Sequence, residues 1–307
     1  MSRVPLLLVI GGPTGAGKTA LAVELYRRWG WPIISADSRQ VYRYLDIGTN
    51  KVSQSLQAEV PHFLIDVCFP DEVFSAGRFV SEVDRLLSLW GDMDVVQVVG
   101  GTGFYVHSLL YGLDPMPVVS QEMRSKVEAW IRAVGLQTAI RWLQEKDPLT
   151  ADQIDLSNPR RLQRAIEVLW ATGRPWVSFW RQRNQKRYPA LVVVVSLPRE
   201  DLYSSIGART RRQVAAGWLE ETQYILQQGY LPTDPALQTL GYKECLQVLD
   251  GERAIGTLIE AIAQANRKYA RRQLTWWRNH PYDLWFEEEV FSVRLREVER
   301  RVLDYLE

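Results

Sequence analysis

The chain has 307 residues, enough for one large or two small domains. Its hydrophobic content of 46% and charged content of 24% are typical of globular proteins, and its net charge of +1 excludes a uniformly basic or acidic chain. Two distant cysteines and three scattered histidines argue against a disulfide framework, a zinc site or a histidine-rich metal centre. No apolar stretch reaches the ~18 residues of a membrane span. Because the N-terminus also lacks a signal-peptide pattern, we expect a cytoplasmic protein without membrane contact.

The first motif in the chain is a phosphate-binding loop. Residues Gly12–Thr19 read GPTGAGKT, the G-x-x-x-x-G-K-T pattern, between a predicted strand at Leu6–Ile10 and a predicted helix at Lys18–Trp29. Such a loop turns backbone N–H groups toward one point, and the helix N-terminus adds positive charge there. We expect Lys18 to neutralise the outer phosphates and the Thr19 hydroxyl to ligate Mg²⁺. The residues predicted to bind a nucleotide or a diphosphate are Gly12, Pro13, Thr14, Gly15, Ala16, Gly17, Lys18 and Thr19.

A second predicted strand, Pro32–Ser35, is followed at once by Asp37. Ligands of open α/β sheets bind at the carboxyl ends of the strands, so Asp37 is expected to face the phosphate-binding loop. A carboxylate there can orient Mg²⁺ or accept a proton from a nucleophile. The alternative is an aspartate that only caps a turn or helix.

A third strand with a glycine-rich end lies further along the chain. After a weaker strand at His62–Val67 and a helix at Ser75–Trp90, the apolar run Val95–Val99 predicts a buried strand. The sequence GGTG follows it, and glycines allow a backbone to approach a ligand closely. The Thr102 hydroxyl could contact a phosphate oxygen there, although an ordinary strand-to-helix turn would also explain this segment.

The pattern then becomes helical before one more strand, Leu191–Ser196, returns to the sheet. We expect an α/β fold whose P-loop NTPase-like core has three layers and a mainly parallel sheet. Residues 1–118 and 188–307 are predicted to form this core with C-terminal helices, and residues 119–187 an inserted helical domain. The helical stretches predicted after residue 118 are Gln121–Val134, Leu136–Glu145, Asn158–Thr172, Asp201–Gly229, Tyr242–Asp250 and Ala254–Arg278.

Positive charge is segregated into three clusters on this nearly neutral chain, which is typical of proteins that bind a polyanion such as nucleic acid. Each cluster alone is more often a solvated face. In the first cluster Trp176, Phe179 and Trp180 are interleaved with basic residues, and Glu167 is the single acid. The clusters comprise Arg160, Arg161, Arg164, Arg174, Arg181, Arg183, Lys186 and Arg187; then Arg209, Arg211 and Arg212; then Arg267, Lys268, Arg271, Arg272 and Arg278.

Taken together, the motifs resemble those of the bacterial tRNA dimethylallyltransferase family, also called tRNA isopentenyltransferases. The resemblance covers most of the chain, and its ordered series of motifs is far more specific than the phosphate-binding loop alone. Asn50 stands where the family usually has alanine. The matching segments are Gly12–Thr19, Ile34–Tyr42, Asp46–Lys51, Pro61–His62, Gly100–Tyr105, Asn158–Ala165, Gly241–Glu244 and Arg271–Trp276.

The resemblance implies transfer of a dimethylallyl group from dimethylallyl diphosphate to N6 of the adenosine 3′-adjacent to the anticodon, with Mg²⁺ as cofactor and the tRNA anticodon arm as partner. It implies that Asp37 is the general base, that Thr102 lies beside the reacting centre and that Arg209 clamps the diphosphate. We expect a monomer. The residues expected to contact tRNA are Asp37, Ser38, Arg39, Gln40, Thr102, Arg124, Arg160, Arg161, Leu162, Gln163, Arg164, Gly241, Tyr242, Lys243 and Glu244.

Three other functions share the phosphate-binding loop. A small-metabolite kinase would use a nucleoside triphosphate and would not need three basic clusters. A prenyltransferase for free adenine nucleotides would not need the helical insertion. A regulatory NTPase would hydrolyse ATP without transferring a group.

Overall fold

The computed structural model describes residues 4–180 and 185–307, and within them it contains a six-stranded sheet whose pairings are all parallel. The order across the sheet is β3-β2-β4-β1-β5-β6. The predicted α/β class is therefore confirmed. The strands are β1 (Leu6–Gly11), β2 (Ile33–Ser35), β3 (His62–Phe63), β4 (Val95–Val99), β5 (Ala190–Val195) and β6 (Leu284–Phe286).

Helices surround this sheet and form a separate bundle in the middle of the chain. They are α1 (Lys18–Trp29), α2 (Gln54–Glu59), α3 (Ala76–Leu89), α4 (Gly103–Tyr111), α5 (Gln121–Val134), α6 (Leu136–Lys146), α7 (Pro148–Ala151), α8 (Pro159–Thr172), α9 (Arg199–Ala215), α10 (Trp218–Gln227), α11 (Tyr242–Leu249), α12 (Leu258–Arg278) and α13 (Phe291–Leu306).

The central strands are buried on both faces, which explains their continuous apolar sequences. Alternate residues of β1 enter different hydrophobic cores, because side chains alternate across a strand. Leu7 and Val9 join a core that also contains residues of α3, α4 and α11, whereas Leu8 and Ile10 join one with residues of α1 and α13. Two cores on either side of one sheet give the three layers.

The strand register places the functional loops at one edge of the sheet. Ile10 pairs with Val99, and Gly11 pairs with Val194, so β1, β4 and β5 end together. The segments that follow β1, β2 and β4 are the phosphate-binding loop, the Asp37 turn and the loop that bears Thr102. The expected convergence of these three segments therefore follows from parallel pairing.

Two compact units make up the chain, one formed by residues 1–111 and 186–307 and the other by residues 112–185. The second unit contains α5 to α8, where the sequence predicted an insertion at 119–187. Its core is built by Val127, Leu143 and Leu162, among others. Three tryptophans also pack together there, with ring centroids 5.3–5.9 Å apart: Trp130, Trp142 and Trp170.

The chain leaves the first unit after α4 and re-enters it just before β5. The backbone N–H of Arg187 donates a 2.6 Å hydrogen bond to the Leu110 carbonyl oxygen. The Arg187 guanidinium also donates to the Leu109 carbonyl oxygen at 3.2 Å. The two ends of the insertion are thus fastened to each other within the first unit.

Some elements differ from their prediction. The stretch Asp201–Gly229 is two helices, α9 and α10, because the backbone turns at Gly217 with φ of 101°. The weak strand His62–Val67 pairs only at its first two residues, since Leu64 and Asp66 have left-handed backbones. The sequence pattern did not predict α2, α7, β6 or α13. Within the described residues, no helix combines the length and apolar character needed to cross a membrane.

Candidate active site

A cavity of about 320 Å³ opens at the carboxyl edge of the sheet in the first unit. Its walls come from the phosphate-binding loop, the turn after β2, the segment after β4 and one side of α9. Two positions of the loop before α2 complete the wall. The lining residues are Thr14, Gly15, Gly17, Lys18, Thr19, Asp37, Gln40, Thr49, Asn50, Val99, Gly100, Gly101, Ser205, Arg209 and Arg212.

The phosphate-binding loop has the backbone that its glycines predict. Gly15 and Gly17 have φ of 88° and 89°, a region that glycine adopts without strain. Gly17 is the N-cap of α1 and offers no side-chain cap, so the first amides of this helix remain for a ligand. Ser205 of α9 braces the loop by donating a 3.0 Å hydrogen bond to the Gly15 carbonyl oxygen. This arrangement suits an anion.

Lys18 is the cation of the loop itself, and its ammonium group donates a 2.7 Å hydrogen bond to the Pro13 carbonyl oxygen. Burial lowers the pKa of Lys18 to about 8, and the charge of Arg209 acts in the same direction. The Asp37 carboxylate opposes this shift. The ammonium is thus held where water solvates it poorly, and an anion in the cavity would stabilise its charged form.

Arg209 projects from α9 into the same cavity. Its guanidinium donates to the Thr14 hydroxyl at 2.8 Å, while its Nε is buried without a partner among the described residues. Burial lowers the pKa of Arg209. In the part of the chain that the structure describes, Arg209, Lys18 and Arg212 give the wall three cations, and Asp37 gives it one carboxylate. The cavity is therefore built for an anion with several negative charges.

Asp37 serves both as a turn residue and as a cavity residue. One carboxylate oxygen accepts hydrogen bonds from the backbone N–H groups of Arg39 at 2.8 Å and Gln40 at 3.4 Å. The half-buried side chain also lines the cavity opposite the phosphate-binding loop. The two interpretations of Asp37 are thus compatible, because the turn fixes the carboxylate at the carboxyl end of β2.

Thr102 lies beside the Asp37 turn. Its hydroxyl oxygen accepts a 3.1 Å hydrogen bond from the Ser38 backbone N–H. Its hydroxyl is also hydrogen-bonded to Tyr269 of α12, a residue that the sequence pattern did not single out. Burial, assisted by the negative charge of Asp37, raises the pKa of Tyr269 to about 12. A neutral phenol therefore stands near the carboxylate at every physiological pH.

The loop before α2 is held rigidly against the cavity. The Glu221 carboxylate accepts hydrogen bonds from three successive backbone N–H groups, those of Asp46 at 2.9 Å, Ile47 at 2.7 Å and Gly48 at 3.1 Å. Lys51 has a buried side chain that donates to the Tyr42 carbonyl oxygen at 2.6 Å and to the Asp46 carboxylate at 2.7 Å. These contacts make Lys51 a structural residue of the loop.

Asn50, the departure from the family pattern, has a left-handed backbone with φ of 53° and lines the cavity. Asparagine tolerates this conformation better than most residues that carry a Cβ. The Gln40 amide donates to the carbonyl oxygens of Thr49 and Asn50 at 3.2 and 3.3 Å. These bonds join the loop to the Asp37 turn.

Two oxygen-bearing side chains of the cavity wall could hold the Mg²⁺ that the resemblance implies. Among the residues that the structure describes, no group of three or more His, Cys, Asp or Glu side chains is placed to hold a metal ion. Mg²⁺ commonly binds through few protein oxygens, with water and substrate phosphates supplying the rest. The exposed Thr19 at the start of α1 and the Asp37 carboxylate line the same cavity and fit that pattern.

The predicted tRNA contacts of the second unit differ in exposure. Arg124, Arg160 and Arg161 are exposed, whereas Leu162 is fully buried in the core of the unit. Arg164 is half-buried, donates to the Pro117 carbonyl oxygen at 3.2 Å and pairs with Glu167; Gln163 also donates to Glu167. Among the predicted contacts of this unit, the exposed arginines are the ones whose side chains are most accessible to solvent. Arg181 and Arg183 of the first basic cluster lie outside the described residues.

The predicted contacts of the first unit are also divided. Gly241 and Tyr242 are buried, with the glycine against the Trp218 ring and the phenol donating to Glu221. Glu244 accepts the Gly241 N–H at 2.7 Å, while Lys243 is exposed. The Tyr242 side chain is therefore inaccessible to solvent, whereas the Lys243 side chain is accessible. The exposed basic residues of α12 are Lys268, Arg271, Arg272 and Arg278, whereas Arg267 is half-buried and pairs with Glu260.

Sequence and structure comparisons agree on one family. A family model described as IPP transferase matches residues 40–280. The tRNA dimethylallyltransferase of Acetivibrio thermocellus is 37% identical, with 93% of each chain covered. The tRNA dimethylallyltransferase of Cytophaga hutchinsonii is 41% identical over 91% of this chain and 92% of its own.

A solved structure leads to the same conclusion. The tRNA isopentenylpyrophosphate transferase of Bacillus halodurans superposes with a TM-score of 0.73 and 31% identity, covering 98% of this chain and 96% of its own. The match therefore includes the sheet, the cavity and the helical insertion. The family model, the two relatives and this structure show that the chain is a transferase and belongs to the IPP transferase family of tRNA dimethylallyltransferases.

Proposed function

We propose that this chain transfers the dimethylallyl group of dimethylallyl diphosphate to N6 of the adenosine 3′-adjacent to the anticodon in tRNA. The observation that carries the proposal is the cavity whose described wall combines an anion-binding loop and three cations with one carboxylate, that of Asp37. One end of such a cavity suits a diphosphate, and the other suits a base that loses a proton. A single copy of the chain supplies both ends.

The diphosphate is the leaving group, and its developing charge must be stabilised. The amides at the start of α1, Lys18 and Arg209 would bind it in a cavity that excludes much of the solvent, where such interactions are strong. Mg²⁺ held by Thr19 would add positive charge when bound. These groups favour dissociation of the allylic C–O bond.

Asp37 would act as the general base. The amine of adenine attacks the allylic carbon, a C–N bond forms, and the electron pair of the broken C–O bond leaves with the diphosphate. The attacking nitrogen becomes acidic as the bond forms, and Asp37 would accept its proton. Thr102 and Ser38, joined by a hydrogen bond, would border the adenine next to this carboxylate.

The tRNA would be held by exposed basic residues while one base leaves the stack. A base inside a helical stack cannot reach a recessed carboxylate, and extrusion costs a few kcal/mol. Contacts between arginine or lysine and phosphates offset that cost. The exposed residues available for these contacts are Arg124, Arg160, Arg161, Lys243, Lys268, Arg271, Arg272 and Arg278.

The proposal is tested by incubating the chain with radiolabelled dimethylallyl diphosphate, Mg²⁺ and unmodified tRNA. Label should enter tRNA at the adenosine beside the anticodon. Parallel reactions with AMP and with ATP distinguish the other functions. Label in AMP would indicate a free-nucleotide enzyme, whereas phosphate transfer or release from ATP without prenylation would overturn the proposal.

A further inference from the structure

Gln273 of α12 joins the two halves of the cavity wall. Its side chain is buried, with 6% of the residue exposed. Its carbonyl oxygen accepts a 2.9 Å hydrogen bond from the Thr14 backbone N–H, and its amide nitrogen donates a 2.9 Å hydrogen bond to the Gly101 carbonyl oxygen. One planar amide thus bridges the phosphate-binding loop and the loop that bears Thr102.

We infer that Gln273 is a positioning residue for prenyl transfer: it sets the distance between the diphosphate cradle and the loop where the acceptor base would lie. The inference rests on the proposed function, because it assigns those two substrates to the two loops. Transfer needs the allylic carbon and the attacking nitrogen within about 3–3.5 Å, so a small shift between the loops affects the rate strongly.

The packing of α12 supports this role. Gly101 has no room for a side chain, because a Cβ there would collide with the Gln273 amide. The next turn of α12 also packs closely against glycines: Trp276 lies against Gly103 at the start of α4, and Trp277 lies against Gly11 at the end of β1. The helix therefore fits directly onto the backbones of both loops.

The hydrogen bonds extend the link to the diphosphate clamp. Thr14 donates its N–H to Gln273 and accepts a bond from Arg209 through its hydroxyl. A chain of contacts therefore connects Arg209, Thr14, Gln273 and Gly101. Arg271 and Arg272, the exposed residues just before Gln273, lie on the same helix. RNA bound by these arginines would act on the helix that holds the diphosphate loop.

Two substitutions separate positioning from simple packing. Gln273→Met fills a similar volume but removes both hydrogen bonds, and we expect about a 10²-fold lower single-turnover rate constant. Gln273→Glu keeps an acceptor for the Thr14 N–H. Its ionised form has no donor for the Gly101 carbonyl oxygen, whereas its protonated form has one acceptor and one donor, as the amide does.

The decisive measurement is the ratio of the Gln273→Glu rate constant to the wild-type rate constant between pH 5.5 and pH 9. We expect the ratio to rise as pH falls, because protonation restores the lost donor. Asp37, Lys18, Arg209 and Tyr269, the titratable and charged groups around these loops, are common to both proteins. Dividing by the wild-type rate constant therefore removes the pH dependence that the two proteins share. A flat ratio would overturn the inference.

Gln97 of β4 is the matched control. It is fully buried, and its amide donates to the carbonyl oxygens of Ala22 at 3.1 Å and Trp31 at 2.9 Å, away from the cavity wall. Gln97→Met should lower the thermal midpoint but leave the rate constant of the folded protein unchanged. An unchanged rate constant in folded Gln273→Met would contradict the inference. If Gln273→Met does not fold, the rate constant of Gln273→Glu at low pH tests the inference instead. If the proposed function is wrong, the wild-type chain itself will not transfer the dimethylallyl group. That result is distinct from a failure of the inference about Gln273.

Discussion

Lys18 and Arg209 carry positive charge in a cavity that water only partly reaches, and burial lowers the pKa of both. Among the described residues, Asp37 is the only carboxylate in the cavity wall, and its negative charge partly offsets theirs. The free site is therefore electrostatically unfavourable, and a bound diphosphate would relieve it. Residues that serve function in this way commonly reduce stability.

The first prediction concerns Asp37. Asp37→Asn retains an acceptor for the Arg39 N–H, so the turn after β2 should survive, but the amide cannot accept the proton from adenine. We expect a single-turnover rate constant about 10²–10⁴-fold lower, with tRNA affinity retained. Rapid-quench transfer and filter-binding assays measure the two quantities. Undiminished single-turnover transfer by this variant would exclude Asp37 as the base.

The second prediction follows from Lys18. Its pKa is lowered to about 8 in the free protein, so the ammonium loses its proton as pH rises through 8. If the diphosphate binds the charged form, its affinity should fall above pH 8, by up to about tenfold per pH unit. Calorimetric titration with dimethylallyl diphosphate from pH 6.5 to pH 9.5 measures this decline.

Lys18→Arg is the control for that titration. A guanidinium stays charged throughout the range, so the decline with pH should disappear even where the absolute affinity is lower. The same decline in wild type and Lys18→Arg would assign the pH dependence to another group. The folded-state pKa of Lys18 is depressed from 10.5, so between about pH 8 and 10.5 the unfolded chain binds more protons. The cost in stability of burying the Lys18 charge therefore decreases as pH rises across that window, so the free energy of unfolding increases.

At the scale of elements, hydrophobic periodicity and neighbouring motifs identified the helices and strands whose sequences carry a repeating local pattern. The helix at Lys18–Trp29 was predicted with its observed bounds, and the buried strand at Val95–Val99 likewise. The three residues of β6 are too few for a pattern, and β6 lies at the edge of the sheet. The amphipathic α13 buries Leu295, Val298 and Val302, a helical spacing that the sequence reading could have used.

The sequence likewise predicted only part of the candidate site. The phosphate-binding loop, Asp37 and Thr102 follow strands, and parallel pairing brings them together, so their convergence was predictable. Tyr269 and Gln273 come from a helix far along the chain, and Gln273 bonds to Thr14 across 259 positions. A single sequence contains no local signal for such a contact, because tertiary packing alone creates it.

The third prediction concerns Glu221, which links α10 to the loop before α2. Glu221→Gln replaces a charged acceptor of three backbone N–H groups with a neutral amide. Hydrogen bonds to charged groups contribute more than neutral ones, so we expect the free energy of unfolding to fall by about 2–3 kcal/mol. Urea unfolding measures this. Exposed Glu220 on the same helix gives the control, and Glu220→Gln should change it by less than about 0.5 kcal/mol. Equal effects would contradict the bracing role.

At the scale of the whole molecule, the charge is balanced in total and segregated in space. The chain has 37 basic and 36 acidic residues. Basic residues nevertheless cluster on α8 and α12, where the helix surfaces expose them. Total charge thus conceals two exposed basic stretches, one in each unit, and clustering along the sequence was the signal that revealed them.

The fourth prediction follows from this clustering. The affinity for tRNA should fall linearly on a log–log plot against salt, with a slope of about −0.7 to −0.9 per phosphate contact. Arg160→Ala combined with Arg161→Ala should weaken binding and reduce the slope by about 1–2. Filter binding at several salt concentrations measures both, and affinity for dimethylallyl diphosphate should stay constant.

The control for this experiment is Arg300→Ala. Arg300 is also exposed, but it pairs with Glu297 and Asp304 on α13, so its charge is already balanced. An equal loss of slope in this variant would show that any arginine contributes and that α8 has no special role.

The hydrogen bond between Arg187 and Leu110 holds the two ends of the helical insertion together, so we expect that the insertion can be deleted without unfolding the first unit. Residues 112–185 begin and end at neighbouring points, so a short turn that joins Tyr111 to Lys186 would close the first unit without stretching its chain. Insertions between such points are generally tolerated, and so is their removal. The shortened chain should still bind dimethylallyl diphosphate in its cavity and lose most of its hold on tRNA.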